Sequence, residues 1–323
     1  MSSCTLGIPL PPAGAKAADV VCLGESSLDL VAVLDRFPEP DTKVDAAAFE
    51  MMMGGQAATA AVACARQGWR ACYVGCLGAD AWGDTIASSL ASEQVAMSVV
   101  RRAGARSRTA IIVVERATGR RTIIEHRDAR QRLRPGDIDP AVITSGRVLL
   151  VDATDIETSI AAARTAREAG IPTVVDIDRA EPGADALLAE IDVLVVTASF
   201  AAAHATDASP RTGLAALAER FRPAVAVATL GADGSVALCR GRDIRMPAPM
   251  VSVVDSTGAG DAFRGGFIAA WLRFGAEADL RVLLQYANAT AAQNCTGLGA
   301  QTALPRGELV DDLVTRAYGD QSK

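Results

Sequence analysis

The sequence has few aromatic residues: Phe, Trp and Tyr make up 4% of its 323 residues, although half of all residues are hydrophobic. The core must therefore be built from Ala, Val, Leu and Ile, which suits a buried parallel sheet flanked by alanine-rich helices. The length allows one large α/β domain or two ordinary ones. The composition thus favours an α/β protein.

Positive charge is also scarce. Lys and Arg number 32 against 38 Asp and Glu, for a net charge of −6, and a nucleic-acid binder needs a broad positive surface. No run of about eighteen apolar residues occurs, so no membrane span is predicted. Residues 1–18 lack the basic start and apolar core of a signal peptide. We expect them to form a flexible tail, followed by one domain over residues 19–323.

Histidine is nearly absent, and the cysteines follow no pairing pattern. The only histidines are His126 and His204, and no Cys-x-x-Cys pair occurs. A zinc site or a disulfide scaffold is therefore not predicted, and a reducing cytoplasm fits best. The seven cysteines are Cys4, Cys22, Cys64, Cys72, Cys76, Cys239 and Cys295.

Two common phosphate-binding motifs are missing. No Gly-Lys pair exists, which excludes a Walker A loop, and no G-x-G-x-x-G follows the first predicted strand. The chain does contain the run Asp255-Ser256-Thr257-Gly258-Ala259-Gly260-Asp261 between a strand-like apolar segment, 250–254, and a helix-like apolar segment, 262–271. Its glycines let backbone N–H groups point into one concavity, and the positive end of the following helix favours an anion there.

The carboxylate of Asp261 has two possible explanations. Like charges repel, so an acid beside a phosphate makes sense if it reaches an acceptor hydroxyl during phosphoryl transfer to an alcohol. Alternatively, a glycine-rich turn before a helix is common, and Asp in a first helical turn is ordinarily a capping residue. The run alone leaves both open.

The run DSTGAGDAF, starting at Asp255, resembles the signature of the ribokinase-like (PfkB-type) carbohydrate kinase family. The stretches GGQAATAAVACARQG from Gly54, YVGCLGADAWG from Tyr73 and TLGADGS from Thr229 resemble further elements of that family in the expected order. The resemblance implies an ATP-dependent sugar kinase with Mg²⁺, and with K⁺ as an additional candidate ion.

Alternating strand and helix patterns predict a doubly wound, mostly parallel sheet. The predicted strands are 20–23, 148–151, 173–176, 193–196 and 225–229, and the predicted helices include 56–67, 156–169 and 283–293. Residues 31–53 and 98–124 alternate like half-exposed antiparallel strands. In the family such insertions form a small β lid over the sugar, often paired in a homodimer, and a lid excludes water from the reaction.

The resemblance implies roles for the residues of the signature. Asp261 would be the general base, and the backbone amides of Gly258, Ala259 and Gly260 would form the anion hole. Asp255 would orient the loop or join a monovalent-cation site. Thr257 would lie on the nucleotide side or serve only as a cap.

Other predicted site residues lie outside the signature. Asp29 would hold sugar hydroxyls, with Gly54, Gly55 and Gln56 beside it. On the nucleotide side, Thr229, Gly231 and Gly234 would form a turn. Asn288 would either contact adenine or be a solvated polar residue of an alanine-rich helix.

Departures from the family bear on the substrate. An Asn-x-x-Glu element is replaced by Thr197 to Phe200, so Mg²⁺ would be held mainly by ATP phosphates and water. The missing element, the stretch GGQAATAA from Gly54 and the segment NCTGLG from Asn294 together resemble the ketohexokinase and sulfofructose kinase branches, which act on ketoses. Lys43, Arg108 and Arg127 could bind an anionic group of the sugar, or could belong to a solvated face. A nucleoside kinase and a non-catalytic sugar or nucleotide sensor are the remaining alternatives.

Overall fold

A nine-stranded sheet forms the centre of the computed structural model, which describes residues 4–319. The strand order is β13-β12-β11-β10-β9-β8-β1-β4-β5, parallel from β11 through β5 and antiparallel at β12 and β13. These strands are β1 (Val20–Leu23), β4 (Ala71–Gly78), β5 (Ala96–Arg102), β8 (Val148–Asp152), β9 (Thr173–Ile177), β10 (Val193–Thr197), β11 (Val225–Thr229), β12 (Ser235–Cys239) and β13 (Arg242–Met246).

Helices cover both faces of this sheet, because the central strands are apolar on both sides. One face packs against α1, α2, α8 and α9, and the other against α3 to α7. The helices are α1 (Gln56–Arg66), α2 (Ala81–Ser92), α3 (Pro140–Ile143), α4 (Ile156–Glu168), α5 (Ala184–Leu188), α6 (Ala198–Ala202), α7 (Pro210–Phe221), α8 (Ala259–Phe274), α9 (Leu280–Asn294) and α10 (Gly307–Tyr318). The predicted doubly wound α/β fold is confirmed.

A second sheet of four strands, in the order β3-β2-β6-β7, forms the lid. Its strands are β2 (Ser27–Leu34), β3 (Ala48–Gly54), β6 (Thr109–Glu115) and β7 (Arg121–His126). The lid was predicted to include residues 98–102, which was wrong, since β5 pairs with β4 at the edge of the main sheet. Its half-buried pattern reflects that edge position and not a place in the lid.

The amino-terminal segment from Cys4 onward packs against the domain, so the flexible tail expected for residues 1–18 was wrong for residues 4–18. Cys4 and Leu6 are buried, and the Leu280 amide donates to the Cys4 carbonyl at 2.8 Å. Cys4 is also joined to Cys239 of β12 by a disulfide across 235 residues, a pairing that no spacing pattern predicted. The other five cysteines are free. Residues 1–3 of the expected tail, like residues 320–323, lie outside the described residues.

The segment before the signature is not a strand. Residues 250–254 form no strand and pair with neither sheet, and Met250 is fully exposed. The Val254 amide instead donates to the Cys295 carbonyl at 2.8 Å. The helix that follows starts at Ala259, so Asp261 lies in its first turn as the sequence indicated, and the two glycines of the signature, Gly258 and Gly260, lie beside and within that turn.

Candidate active site

A cavity of about 1040 Å³ lies between the lid and the carboxyl ends of the parallel strands. Residues at the ends of β1, β8, β9, β10 and β11 line its floor, as expected for an open α/β sheet, where ligands bind beyond those strand ends. The order of strands reverses at β1, since β4 lies on one side of it and β8 on the other. The cavity is therefore at the topological switch point of the sheet.

The signature forms a cradle at the start of α8. Gly258 has φ +74°, and a Cβ atom there would lie 2.7 Å from Ala300, so the backbone requires glycine. Gly258, Ala259 and Gly260 all line the cavity. The first amides of a helix have no partner within the helix, and they lie at the positive end of its dipole. The cradle fits a phosphate group.

Asp255 holds this cradle in place. Its side chain is fully buried, with one oxygen accepting from the Thr257 amide at 2.9 Å and hydroxyl at 2.7 Å. The other oxygen accepts from the Gly299 amide at 2.8 Å, and Asn294 donates to the Thr257 carbonyl at 3.1 Å. These bonds favour the loop-orienting role among the two considered for Asp255, and they tie the cradle to the turn after α9.

Asp261 lies in the first turn of α8 and lines the cavity. Burial raises the pKa of this carboxyl group, while the guanidinium of Arg264 and a hydrogen bond with Asp176 act in the opposite direction. The carboxyl group is therefore a stronger base than an exposed Asp, next to the anion cradle. This is the combination that proton removal from a hydroxyl requires.

A buried ion pair that the sequence did not predict lies beside Asp261 and helps to hold it in position. Arg264, one turn farther along α8, lies 2.8 Å from Asp176 at the end of β9 and also donates to the Val195 carbonyl at 2.9 Å. Both side chains are essentially inaccessible to solvent. Burial raises the pKa of Asp176 well above its usual range even beside Arg264. Gln56 completes the cluster, since its amide donates to Asp176 at 3.1 Å.

Asp29, on β2, lines the same cavity. Its carboxyl group is buried, accepts from the Ser27 hydroxyl at 2.7 Å, and has its pKa raised to about 6 by that burial. A Cβ atom on Gly54 would lie 2.1 Å from Asp29, so glycine makes room for the carboxylate. Gly55, with φ +93°, turns the chain into α1 and lines the cavity beside Gln56.

The three cationic residues proposed to bind an anionic group of the sugar do not share one location. Arg108 lines the cavity and pairs with Glu25 and Glu125. Arg127 also lines it, and lies 2.8 Å from Asp155. Lys43 is exposed in the loop between β2 and β3 and is not among the residues that line the cavity. The structure therefore brings Arg108 and Arg127 to the site, each with a carboxylate partner, and leaves Lys43 outside it.

On the predicted nucleotide side, Thr229, Gly231 and Thr257 line the cavity. Gly234 does not, and it serves the turn itself: its φ is +89°, and a Cβ atom would lie 2.1 Å from the Met246 carbonyl. Asn288 is buried, and its amide donates to Ser235 at 3.0 Å and to the Met246 carbonyl at 3.2 Å. The solvated alternative for Asn288 was therefore wrong, because the buried amide ties α9 to the β12–β13 hairpin. The adenine contact stays a prediction.

Several cavity residues were missed by sequence reasoning. The ends of the predicted strands could have identified some of these residues, since Glu25, Asp176 and Asp178 lie at or just after the ends of parallel strands. Arg264 could have been placed by its spacing of three residues from Asp261 on a helix. The alternation of side chains along β7 could have placed two more. The charged cavity residues that were missed are Glu25, Arg121, Glu125, Arg132, Asp176, Asp178, Arg179, Glu181 and Arg264.

No group of three or more His, Cys, Asp or Glu side chains in residues 4–319 is placed to hold a metal ion. None of the helices in this part of the chain is long and apolar enough to cross a membrane.

The chain resembles known carbohydrate kinases. A family model described as pfkB family carbohydrate kinase matches residues 17–306. A fructokinase from Klebsiella pneumoniae is 30% identical, over 78% of this chain and 88% of its own. A 5-dehydro-2-deoxygluconokinase from Photobacterium profundum is 26% identical, over 92% and 94%. The structure of a fructokinase with bound ATP from Xylella fastidiosa is 25% identical and superposes with a TM-score of 0.77, covering 92% of this chain and 98% of that one.

Proposed function

Because the chain belongs to the pfkB family of carbohydrate kinases, which are ATP-dependent phosphotransferases, we propose that Asp261 removes the proton from a monosaccharide hydroxyl as the γ-phosphoryl group of ATP is transferred to it. The observation that supports this proposal most directly is the position of Asp261, beside the glycine cradle and inside the cavity that Asp29 also lines. A base, an anion site and a polyol-binding carboxylate thus share one cavity.

Each group has a separate task in this proposal. The amides of Gly258, Ala259 and Gly260 stabilise charge on the transferring phosphoryl oxygens, and the cradle needs no rearrangement because Asp255 already holds it. Asp29 accepts hydrogen bonds from sugar hydroxyls and so sets the reacting hydroxyl near Asp261. Thr229 and Gly231 border the nucleotide.

Mg²⁺ would neutralise phosphate charge when bound with ATP. We propose that ATP phosphates and water supply most of its ligands, since the described carboxylates form no cage. Asp178 and Asp261, both at the cavity, are the carboxylates available to its water shell. A K⁺ site beside Asp255 remains a prediction.

The charges around the sugar end favour a neutral monosaccharide over an anionic one. Arg108 is matched by Glu25 and Glu125, and Arg179 lies 2.9 Å from Glu125. Burial raises the pKa of Glu125, but the two guanidinium groups outweigh it and hold that pKa below its usual value. The pairs neutralise one another and leave polar donors and acceptors suited to hydroxyls. The ketose specificity suggested by sequence remains a prediction.

We also propose that two copies pair through the outer face of the lid. The strand register places Met51, Leu30, Ile111 and Ile124 in one row across the four strands, and three of these side chains are more than 45% exposed. Phe49 adds to the same face with 63% exposure. Exposed apolar side chains in one contiguous patch are typical of a protein interface.

The cytoplasm remains our proposed compartment. Five of the seven cysteines carry free thiols. Proteins of oxidising compartments are usually rich in disulfides, so this proportion favours a reducing environment.

The proposed function is tested by measuring ADP release and sugar phosphate formation with ATP and a panel of ketoses, aldoses and nucleosides. We expect phosphorylation of at least one neutral monosaccharide, in equal amounts with ADP. Tight binding of sugar or ATP without turnover would identify a sensor instead, and turnover confined to nucleosides or to sulfonated or phosphorylated sugars would contradict the proposed substrate class.

A further inference from the structure

Arg121, at the start of lid strand β7, lies at the phosphate end of the cavity, where no role has been assigned to it. Side chains along a strand point alternately to opposite faces. Arg121, Ile123 and Glu125 all line the cavity, so they share the inner face of β7. Glu125 is at the sugar end, beside Arg108, and Arg121 is four residues away at the other end of the cavity.

Direct contacts fix Arg121 against the signature. Its guanidinium donates to the hydroxyl of Ser256, two residues before Gly258, at 2.9 Å. The same hydroxyl donates to the Gly119 carbonyl at 3.4 Å. Gly119 itself packs closely on the segment before the cradle, since a Cβ atom there would lie 2.9 Å from Val253. The turn that leads into β7 is thus held against the chain that leads into the cradle.

The charge of Arg121 is not matched by a carboxylate. Within residues 4–319, no Asp or Glu oxygen lies within ion-pair distance of Arg121, whereas the other arginines that line the cavity all have such a partner. Those paired arginines are Arg108, Arg127, Arg132, Arg179 and Arg264. The positive charge nearest the cradle on the lid side is therefore available to an anion.

We propose that Arg121 contacts the transferring phosphoryl group, so that the lid supplies a cation to the reaction as well as excluding water. The inference rests on the proposed function. In the transfer, a bond forms between the sugar oxygen and the γ-phosphorus, and the bond from that phosphorus to the oxygen shared with the β-phosphate breaks. Asp261 takes the hydroxyl proton and ADP leaves. Arg121 exchanges no proton and stabilises charge on the phosphoryl oxygens.

The electrostatic field of Arg121 reaches the reacting residues. Burial is the main cause of the raised pKa of Asp261, and the Arg121 charge is among the groups that lower it. A cation with this influence on the base is close enough to act on an oxyanion formed beside that base.

The test compares Arg121→Gln with Arg120→Gln. Arg120 is the adjacent residue, its side chain is 78% exposed and 3.6 Å from Glu115, and its removal changes the net charge of the lid by the same amount. We expect kcat to fall about 10²-fold in Arg121→Gln, with the KM for sugar within about threefold, because the lost contact acts on the transition state. Arg121→Lys should recover part of the loss, and Arg120→Gln should resemble the parent.

A second readout does not depend on turnover. ADP with aluminium fluoride imitates the transferring phosphoryl group, and its affinity in the presence of sugar should fall about 30-fold or more in Arg121→Gln, while ADP alone binds as in the parent. If Arg121 were only a latch for the lid, KM for sugar would rise and this affinity difference would be absent, which would overturn the inference.

Failure of the inference and failure of the proposed function give different results. If the parent protein phosphorylates no sugar, the proposed function is wrong. If the parent is active and Arg121→Gln keeps at least half of its kcat, the inference about Arg121 is wrong and the proposed function stands.

Discussion

The guanidinium of Arg264 lies 2.8 Å from the carboxylate of Asp176, and this buried pair joins the helix that carries Asp261 to the end of strand β9. Arg264 also donates to the Val195 carbonyl of the next strand, so three elements meet at one side chain. Removing one partner of such a pair leaves the other charge buried, which costs more than the intact pair contributes. The pair therefore acts mainly to fix the position and charge environment of Asp261.

The first prediction concerns this pair. Arg264→Met should lower the free energy of unfolding by about 3–5 kcal/mol, and so should Asp176→Leu, because each leaves an uncompensated buried charge. The double variant should lose clearly less than the sum, since neither Arg264 nor Asp176 is then left without the other. Urea unfolding of all four proteins measures the coupling. Additive losses would show that the two side chains do not stabilise each other.

The same substitution changes the pH dependence of catalysis. Arg264 lowers the pKa of Asp261 against the effect of burial, so its removal should raise that pKa. An Asp must be ionised to act as a base, so the acidic limb of the kcat profile should move to higher pH in Arg264→Met. Arg273 is exposed, is paired with Asp311 and lies near the other end of the same helix, so Arg273→Met serves as the control. A shift of equal size in both variants would contradict the local effect.

Glycine at 258 provides the second prediction. Gly258→Ala must strain a left-handed φ and bring its Cβ within 2.7 Å of Ala300, whereas Gly170→Ala, at φ +69°, meets no atom within 4 Å. Both should lose about 1–2 kcal/mol of stability from the backbone strain, and Gly258→Ala should lose more because of its close contact with Ala300. Only Gly258→Ala should also lower kcat, by about tenfold or more, because it displaces the amides of the cradle. Equal activity of the two variants would show that the cradle tolerates displacement.

The third prediction follows from the buried carboxyl of Asp29, whose pKa is raised from 3.8 to about 6 by burial. This group binds its proton more tightly in the folded state, so ionising it costs stability above pH 6, and the cost disappears as the pH falls towards 4. Asp29→Asn should therefore gain up to about 3 kcal/mol in free energy of unfolding at pH 8, a gain that fades by pH 4. Urea unfolding against pH measures it.

The same Asp29→Asn variant should lose affinity for the sugar, although it gains stability. Asp29→Asn should weaken binding of the sugar, because one hydroxyl acceptor becomes a donor. Asp45→Asn, in the exposed loop after β2, is the control and should change neither property. An Asp29→Asn variant that keeps its sugar affinity would remove Asp29 from the site.

The fourth prediction concerns the outer face of the lid. Ile111→Lys puts a charge in the middle of the exposed apolar row, and Leu309→Lys does the same at an isolated exposed leucine on α10. Sedimentation velocity at micromolar concentration should show a dimer for the parent and for Leu309→Lys, and a monomer for Ile111→Lys. A monomeric parent would contradict the proposed assembly.

The sequence predicted the elements that are apolar and regular. Strand 225–229 was placed at its observed bounds, because β-branched residues buried on both faces leave no competing pattern. The apolar segment 262–271 was placed within helix α8, but its start at Ala259 could not be read, because the first turn contains Gly260, a residue that reads as loop. Strand β5 read as part of the lid, because an edge strand is half exposed like a lid strand.

Contacts between distant segments could not be read from the sequence. The side-chain NH2 group of Asn288 donates to Ser235 and to Met246, which lie 53 and 42 residues away. The role of Asn288 therefore depends on tertiary packing. The disulfide of Cys4 with Cys239 and the pair of Asp176 with Arg264 are of the same kind. The placement of Lys43 outside the cavity likewise depends on the path of a long loop.

The central claim is that Asp261 is the base for phosphoryl transfer, and single-turnover measurement of Asp261→Asn with bound ATP and sugar tests it most directly. The substitution keeps the size of the side chain and removes its basicity. We predict that the rate of the chemical step falls about 10³-fold, while the dissociation constants of ATP and sugar stay within about threefold of the parent. A rate within tenfold of the parent, with both ligands bound, would contradict the claim.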